Sequence, residues 1–532
     1  MVEWRGYDPC MRCCILLHAA FFGTLLAAAP QPVRVTGGLV SGAPGLNPAI
    51  TIYKGIPYAA PPTGNLRWKA PQPPPKWEGV RAATEFSGNC MQNDAAWYPP
   101  NNGTRPARQI TEDCLYLNVY SGAKSASERR PVLLFVHGGG LTFSAGTYYD
   151  GEPIAEKGVV VVTFNYRLGV FGFLAHPELT AESGHHASGN YGFMDQIAAM
   201  HWVKDNIAAF GGDPNNVTLA GQSAGSWSVN LLLGSPLAKG LFKQAFGESG
   251  GQFALGRSLA DSEKAGAQFA KNLGADSIAD LRAKPAADLQ KGSRGAAGWN
   301  IDGYVIPADI AEIYAKGQQG DVPLMIGSTG GEATSPRMPN VTADGFRKSI
   351  ADEFGPLSDA VLKAYPFSND QEAKLQNLEL HRDQTFGWPT RAWMRAQAAT
   401  GKSKVYAFYF ERVAPGPYSD AGLGAPHGAG LAYFFNWVNS KANEGTAWRD
   451  SDRKLADQVS TYWVNFMTKG DPNGSGLPQW PVYDPKTEVV MRINETPSAA
   501  TLPHIPALDL LNAHFERLRK EGVSESRRRP AN

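Results

Sequence analysis

The chain has 532 residues, 43% of them hydrophobic, enough to bury a substantial core. Its formal net charge is only +1, and no basic stretch interleaves with aromatics, which argues against nucleic acid as a partner. Cys14 to Leu26 is apolar apart from His18 and Thr24, and follows Arg5 and Arg12. With the small residues Ala27, Ala28 and Ala29 behind it, residues 1–29 read as an export signal peptide, with Met11 as an alternative start. The run is too short to span a bilayer comfortably, so a removed signal peptide is expected and the mature chain would be periplasmic or secreted without a stable membrane span; an uncleaved anchor is the alternative. Three of the five cysteines (Cys10, Cys13, Cys14) fall in that segment. Only Cys90 and Cys114 are left, and in an exported protein they suggest one disulfide; two unrelated buried thiols are the alternative.

In chain order, Val33–Val35 and Thr51–Tyr53 read as short strands. Pro57 to Pro75 is proline-rich and reads as extended surface chain that includes Arg67. Glu112 to Tyr120 ends in an alternating strand, and Pro131–Val136 is a strand buried on both faces. Val159–Asn165 is a second such strand, and Asp195 to Phe210 has helical spacing. Gly211 to Pro214 stops that helix, a strand starts at Val217, and Ser226–Leu233 reads as a helix. Phe242–Phe246 is short and apolar, and Ser258–Gln290 is helical. Val322–Gly327 is a buried strand, 352–400 is mainly helical, and Val405–Phe410 is a strand. Two helices follow, Asp452–Met467 and Asp509–Lys520. Strand and helix alternate as in a mostly parallel sheet with crossover helices, so the expected class is α/β. No long linker interrupts 30–520, which reads as one domain. The tail 521–532, with Arg527, Arg528 and Arg529, reads as solvated.

The chemistry centres on Gly221-Gln222-Ser223-Ala224-Gly225, at a strand-to-helix junction. A serine two residues from a glycine on either side fits a sharp bend that lifts the hydroxyl clear of the backbone. A serine hydroxyl is a weak nucleophile and needs a base, itself oriented by a third group. Downstream lie four histidines. His381 sits in a charged helical segment, and His504 and His514 lie near the C-terminus, the latter on a surface helix. His427 sits in the glycine-rich loop Gly422–Gly430, which can carry a side chain into a cleft. For the acid, Glu332 follows the strand Val322–Gly327; Asp302 is the rival and reads more as a turn residue. His137-Gly138-Gly139-Gly140 follows a buried strand, where glycines bring backbone N–H groups close to a substrate. Gly139, Gly140 and Ala224 are the candidate oxyanion donors.

Together these residues resemble the type-B carboxylesterase/lipase family, which includes the cholinesterases. The resemblance spans nearly all of the mature chain. It is strongest at Glu112–Asn118, Phe210–Asn215 and Gly221–Gly225, with support from Gly138–Gly140, Asn165–Arg167 and His427–Gly428. It implies an α/β-hydrolase fold, the triad Ser223, Glu332, His427 and the oxyanion donors named above. It also implies a Cys90–Cys114 disulfide and buried ion pairs Arg67–Glu112 and Arg167–Asp195. No metal or organic cofactor is implied, and the partner is a small-molecule ester. The oligomeric state and the ester itself are not legible.

The chain departs from many relatives near the site. Gln222 replaces a glutamate beside the serine, Gly430 replaces an acid three residues after the histidine, and Thr329 stands where asparagine is common. Loss of two negative charges points away from cationic choline-type esters and towards neutral or anionic ones. Leu141, just after the glycine triplet, is expected near the site. An amidase or carbamate hydrolase on the same triad is the enzymatic alternative. Non-catalytic adhesion relatives generally lack a triad member, whereas this chain keeps all three candidates.

Overall fold

The computed structural model describes residues 31–93, 109–293, 295–332, 340–415, 422–443 and 447–523. The expected signal peptide, with Cys10, Cys13 and Cys14, lies outside these, as does the tail beyond residue 523. The fold is organised by an eleven-stranded sheet. Its strands, in chain order, are β1 (Ala43–Pro44), β2 (Thr51–Pro57), β3 (Tyr116–Ser121), β4 (Arg130–Val136), β5 (Val160–Phe164) and β6 (Gly212–Gln222). They continue as β7 (Gln244–Glu248), β8 (Leu324–Thr329), β9 (Val405–Phe410), β10 (Val489–Ile493) and β11 (Ser498–Thr501). The spatial order is β11-β10-β9-β8-β7-β6-β4-β5-β3-β2-β1. From β10 across to β5 every pairing is parallel, and the edges are antiparallel.

The central strands are continuous apolar runs because both faces are covered. On β4, Val132, Leu134 and Val136 face one core, and Leu133 and Phe135 face the other, as the two-residue period of a strand requires. The first core is closed by helices that include α1 (Tyr191–Asn206), α2 (Ala224–Leu233), α4 (Trp388–Thr400) and α6 (Ile505–Lys520), with α3 (Leu259–Asn272) packing in a smaller cluster beside it. The second core is closed by α5 (Asp450–Lys469), whose Leu455, Val459, Trp463 and Phe466 are fully or almost fully buried.

Three expectations need correction. The stretch 57–75 is not simply surface chain: Tyr58, Arg67 and Trp68 are buried. Trp68 donates its indole N–H to the Val170 carbonyl at 2.9 Å, and Arg67 reaches Glu112. His514 is fully buried, packed against Phe354, because α6 turns that face to the core. The strand entering the bend begins at Gly212, not Val217, with its pairing to β4 interrupted between the two.

Cys90 and Cys114 form a disulfide that closes a separation of 24 residues. Such a bridge contributes about 2–4 kcal/mol, mainly by restricting the unfolded chain. Arg167 and Asp195 form a buried bidentate pair, with Nε–Oδ2 at 2.8 Å and Nη2–Oδ1 at 2.7 Å. The Arg167 N–H also donates to Asp195, which locks the loop after β5 onto the first turns of α1.

Candidate active site

β6 ends at Gln222 and α2 begins at Ala224, so the entire change of direction falls on Ser223. Its φ of 58° and ψ of −125° are strained for a residue with a side chain. Two close approaches explain the flanking glycines. A Cβ on Gly221 would come within 2.3 Å of the Gly225 backbone, and one on Gly225 within 2.0 Å of the Val136 carbonyl. The strain is held by neighbours: the Ser223 N–H donates to the Glu248 carbonyl at 2.8 Å, and the Trp227 N–H to the Ser223 carbonyl at 3.0 Å.

The glycine triplet lies directly against this bend. A Cβ on Gly138 would lie 3.1 Å from the Ser223 Cβ. Gly139 and Gly140 have φ of 97° and 61°, and a Cβ on Gly139 would fall 2.0 Å from the Phe143 carbonyl oxygen. The Gly139 carbonyl accepts from the N–H groups of Thr142 and Phe143, which closes the loop into a fixed turn. Leu141 follows with φ 61° and is buried. His137 is buried against Tyr166, ring centroids 4.3 Å apart, and burial lowers its pKa to about 4, so the ring is neutral. Its Nδ1 bonds the Gly138 carbonyl at 2.9 Å, anchoring the start of the loop.

Glu332 and His427 meet although 95 residues separate them, and the His427 Nδ1 bonds the Glu332 Oε2. Their loops are paired: the Gly331 N–H donates to the Ala425 carbonyl at 2.8 Å, and Gly331 bridges to Pro426. Glu332 is fully buried, and its Oε1 accepts the Thr329 N–H at 3.0 Å. Burial alone would raise its pKa, but the adjoining His427 ring and these hydrogen bonds outweigh burial and leave it lowered. A lowered carboxyl stays anionic at neutral pH and can stabilise an imidazolium. On the other ring nitrogen, His427 Nε2 lies 3.1 Å from the Gln222 side-chain nitrogen. Phe386 packs on the His427 ring at 4.5 Å between centroids.

Asp302, the rival acid, is spent locally: its Oδ1 accepts from the N–H groups of Tyr304 and Ile306. His381 and His504 are exposed. Thr329 contributes its backbone N–H to Glu332 rather than its side chain. Gly430 donates its N–H at 3.2 Å to the Oε1 of Glu248.

Glu248 was not anticipated. It ends β7, pairs with Gln222 across the sheet, and is fully buried. A Cβ on Gly430 would fall 2.4 Å from its Oε1, so this carboxyl fills the space a side chain at 430 would need. Burial first, then the negative charge of Glu332, raise its pKa to about 8, with the Gly430 N–H opposing. The one available signal is a lone acid at the end of a buried strand, the end where α/β sheets place their chemistry. Phe386 was also missed, because it reaches the site from a distant helical segment.

The mostly parallel sheet flanked by helices, with a strand-to-helix bend at Ser223, is that of an α/β-hydrolase fold. The carboxylesterase family model matches residues 29–508. Fumonisin B1 esterase of Sphingopyxis macrogoltabida is 37% identical, covering 87% of this chain and 86% of that protein. Liver carboxylesterase 1F of Rattus norvegicus is 31% identical, covering 87% and 90%. Among solved structures, a PNB esterase superposes with a TM-score of 0.78 at 30% identity, over 90% of this chain and 99% of the other. A carboxylesterase of Geobacillus stearothermophilus gives 0.77 at 31%, over 91% and 99%. The chain belongs to the carboxylesterase family and is a carboxylic ester hydrolase.

Proposed function

We propose that Ser223 cleaves carboxylic esters through an acyl-enzyme, on neutral or anionic small-molecule substrates. The observation that carries this is the convergence of Ser223, the His427–Glu332 pair and the Gly138–Gly140 loop from four separate stretches of chain. The Ser223 Oγ attacks the ester carbonyl while His427 Nε2 takes its proton. Glu332 holds the ring by Nδ1 and stabilises the imidazolium. The N–H groups of Gly139, Gly140 and Ala224 receive the charge that develops on the carbonyl oxygen. His427 then returns the proton to the departing alcohol, leaving an ester on Ser223. Water, activated by the same histidine, releases the acid and restores the serine.

Gln222 supports the substrate-charge reading. Its buried amide reaches His427 Nε2 from a position where a carboxylate would attract a cation. Gly430 supplies no charge either. A panel of three esters of equal size, one neutral, one cationic and one carboxylate-bearing, tests this directly. The neutral and carboxylate-bearing members are expected to give kcat/KM values at or above that of the cation. A clear preference for the cation would refute the assignment.

The same reading takes 30–520 as one hydrolase domain preceded by a removed export segment. The Cys90–Cys114 disulfide supports a working place outside the reducing cytosol. Among the described residues no helix is long and apolar enough to cross a membrane.

A further inference from the structure

A cavity of about 240 Å³ opens beside the candidate site. Its walls come in part from the helix that starts at Ser223 and from chain next to Glu248 and Phe386. Trp227 is one turn beyond Ser223 on α2. Gly251 and Gln252 follow β7 shortly after Glu248. Gln384 and Thr385 precede Phe386, whose ring lies on His427. Trp299, Trp388 and Phe515 add aromatic surface to the lining, beside small and aliphatic residues.

Among the described residues that line it, Arg257 alone carries a formal charge and none is acidic. Arg257 is half-buried, and its Nη1 is enclosed with no hydrogen-bond partner among the described residues. This is unusual, because a guanidinium stays charged at all relevant pH and buried charge is normally paired. The buried arginines Arg67, Arg167, Arg391 and Arg412 each form an ion pair with a carboxylate, although the Arg167 Nη1 is also left over, whereas Arg257 forms no ion pair among the described residues. The position of Arg257 is also fixed. Arg257–Ser258 forms a short parallel pair with Asn300–Ile301, and the Ser258 hydroxyl caps α3 by accepting the Asp261 N–H. A Cβ on Gly256 would meet Trp299 at 2.5 Å, so the backbone there is pressed against the aromatic wall.

We infer that Arg257 is the substrate-carboxylate anchor of this cavity, and that the preferred esters carry a free carboxylate on the group that enters it. The inference rests on the esterase reading of Ser223 and deepens it. A carboxylate matches the planar donor fork of a guanidinium, and the indoles beside it hold the pair in a defined place. It also gives a second reason for the missing acids at 222 and 430. A carboxylate beside the histidine would repel a substrate already bearing one.

The test compares carboxylate-bearing esters with neutral carboxamide isosteres, in wild type, Arg257→Met and Arg257→Lys. In one arm the carboxylate sits on the acyl half, as a nitrophenyl glutarate monoester against its carboxamide. In the other it sits on the alcohol half, as 4-acetoxybutyrate against 4-acetoxybutanamide. Wild type is expected to favour the carboxylate at least tenfold in kcat/KM in one arm. Arg257→Met should bring that ratio close to one, chiefly by raising KM for the carboxylate ester, and Arg257→Lys should keep part of it. Equal ratios in wild type and Arg257→Met, or no carboxylate preference in either arm, would overturn the assignment of Arg257. If wild type hydrolyses none of the esters, neutral ones included, it is the esterase reading of Ser223 that fails.

Discussion

Ser223→Ala is expected to lower kcat for any ester substrate by about a millionfold, the loss seen when the nucleophile of a serine triad is removed. That corresponds to about 8 kcal/mol of transition-state stabilisation. The size follows from the mechanism: without the hydroxyl no acyl-enzyme forms, and His427 and Glu332 have no proton to manage. The loss cannot be divided among the three residues, because each depends on the others. Folding should survive. The bend at Ser223 is held by its backbone, with N–H to Glu248 and carbonyl to Trp227, and alanine keeps both bonds. Alanine also meets the same strain at φ 58° that serine already tolerates. Turnover and the thermal midpoint, measured on the same preparation, check both halves. Substantial residual hydrolysis in a folded variant would remove Ser223 from the mechanism.

Glu248→Gln should change how stability depends on pH. In the folded chain the Glu248 pKa is raised from 4.5 to about 8, by burial and then by Glu332. Between these values the folded state keeps a proton that the unfolded state has released. The unfolded state therefore binds fewer protons, and stability falls as pH rises. The contribution is fully present below 4.5 and is lost as pH climbs through about 8. Each pH unit in that span is about 1.4 kcal/mol, so the whole effect is about 5 kcal/mol. Glutamine removes the titration, and its amide oxygen can still accept the Gly430 N–H. Its NH₂ gains no evident partner, which costs about 1–3 kcal/mol. The net expectation at pH 9 is a variant more stable than wild type by about 2–4 kcal/mol, with the advantage lost and then reversed as pH falls to 5. Denaturant midpoints of both proteins across pH 5–9 test this. Parallel curves would mean that Glu248 does not titrate in this range.

This acid also bears on the charge of the site. Gln222 and Gly430 are neutral where relatives are often acidic, yet a carboxyl is still present, entering from β7. It fills the space beside Gly430 and, with its pKa at about 8, is largely protonated at neutral pH. A carboxyl in that state adds no attraction for a cation. Sequence could show Gln222 and Gly430 as neutral but not that Glu248 lies beside them, because Glu248 and Gly430 are 182 residues apart.

The same distinction separates what was legible from what was not. The bend at Ser223 could be read because its requirements are local: a strand, two glycines and a helix in one continuous stretch. The glycine loop after β4 was legible for the same reason. The order of Glu332 and His427 along the chain narrows the choice, the family resemblance points to this pair, and the two side chains are in contact. What escaped depended on contacts between distant segments. Arg67 and Trp68 lie in proline-rich chain that looks like surface, but Glu112 and the Val170 carbonyl bury them. His514 lies on a helix whose buried face includes that position. Phe386 and the aromatic cavity around Arg257 are assembled from β7, α2 and the segment leading into α4, and no single stretch carries their signature.

The central claim is that Ser223 is the nucleophile of an acyl-enzyme. The most direct measurement is the mass of the protein after reaction with a fluorophosphonate, followed by peptide mapping. One adduct is expected, on the peptide containing Ser223, with hydrolysis lost in proportion to labelling and no adduct on Ser223→Ala. Full esterase activity after exhaustive treatment with Ser223 unmodified, or an inactivating adduct on another residue, would contradict it.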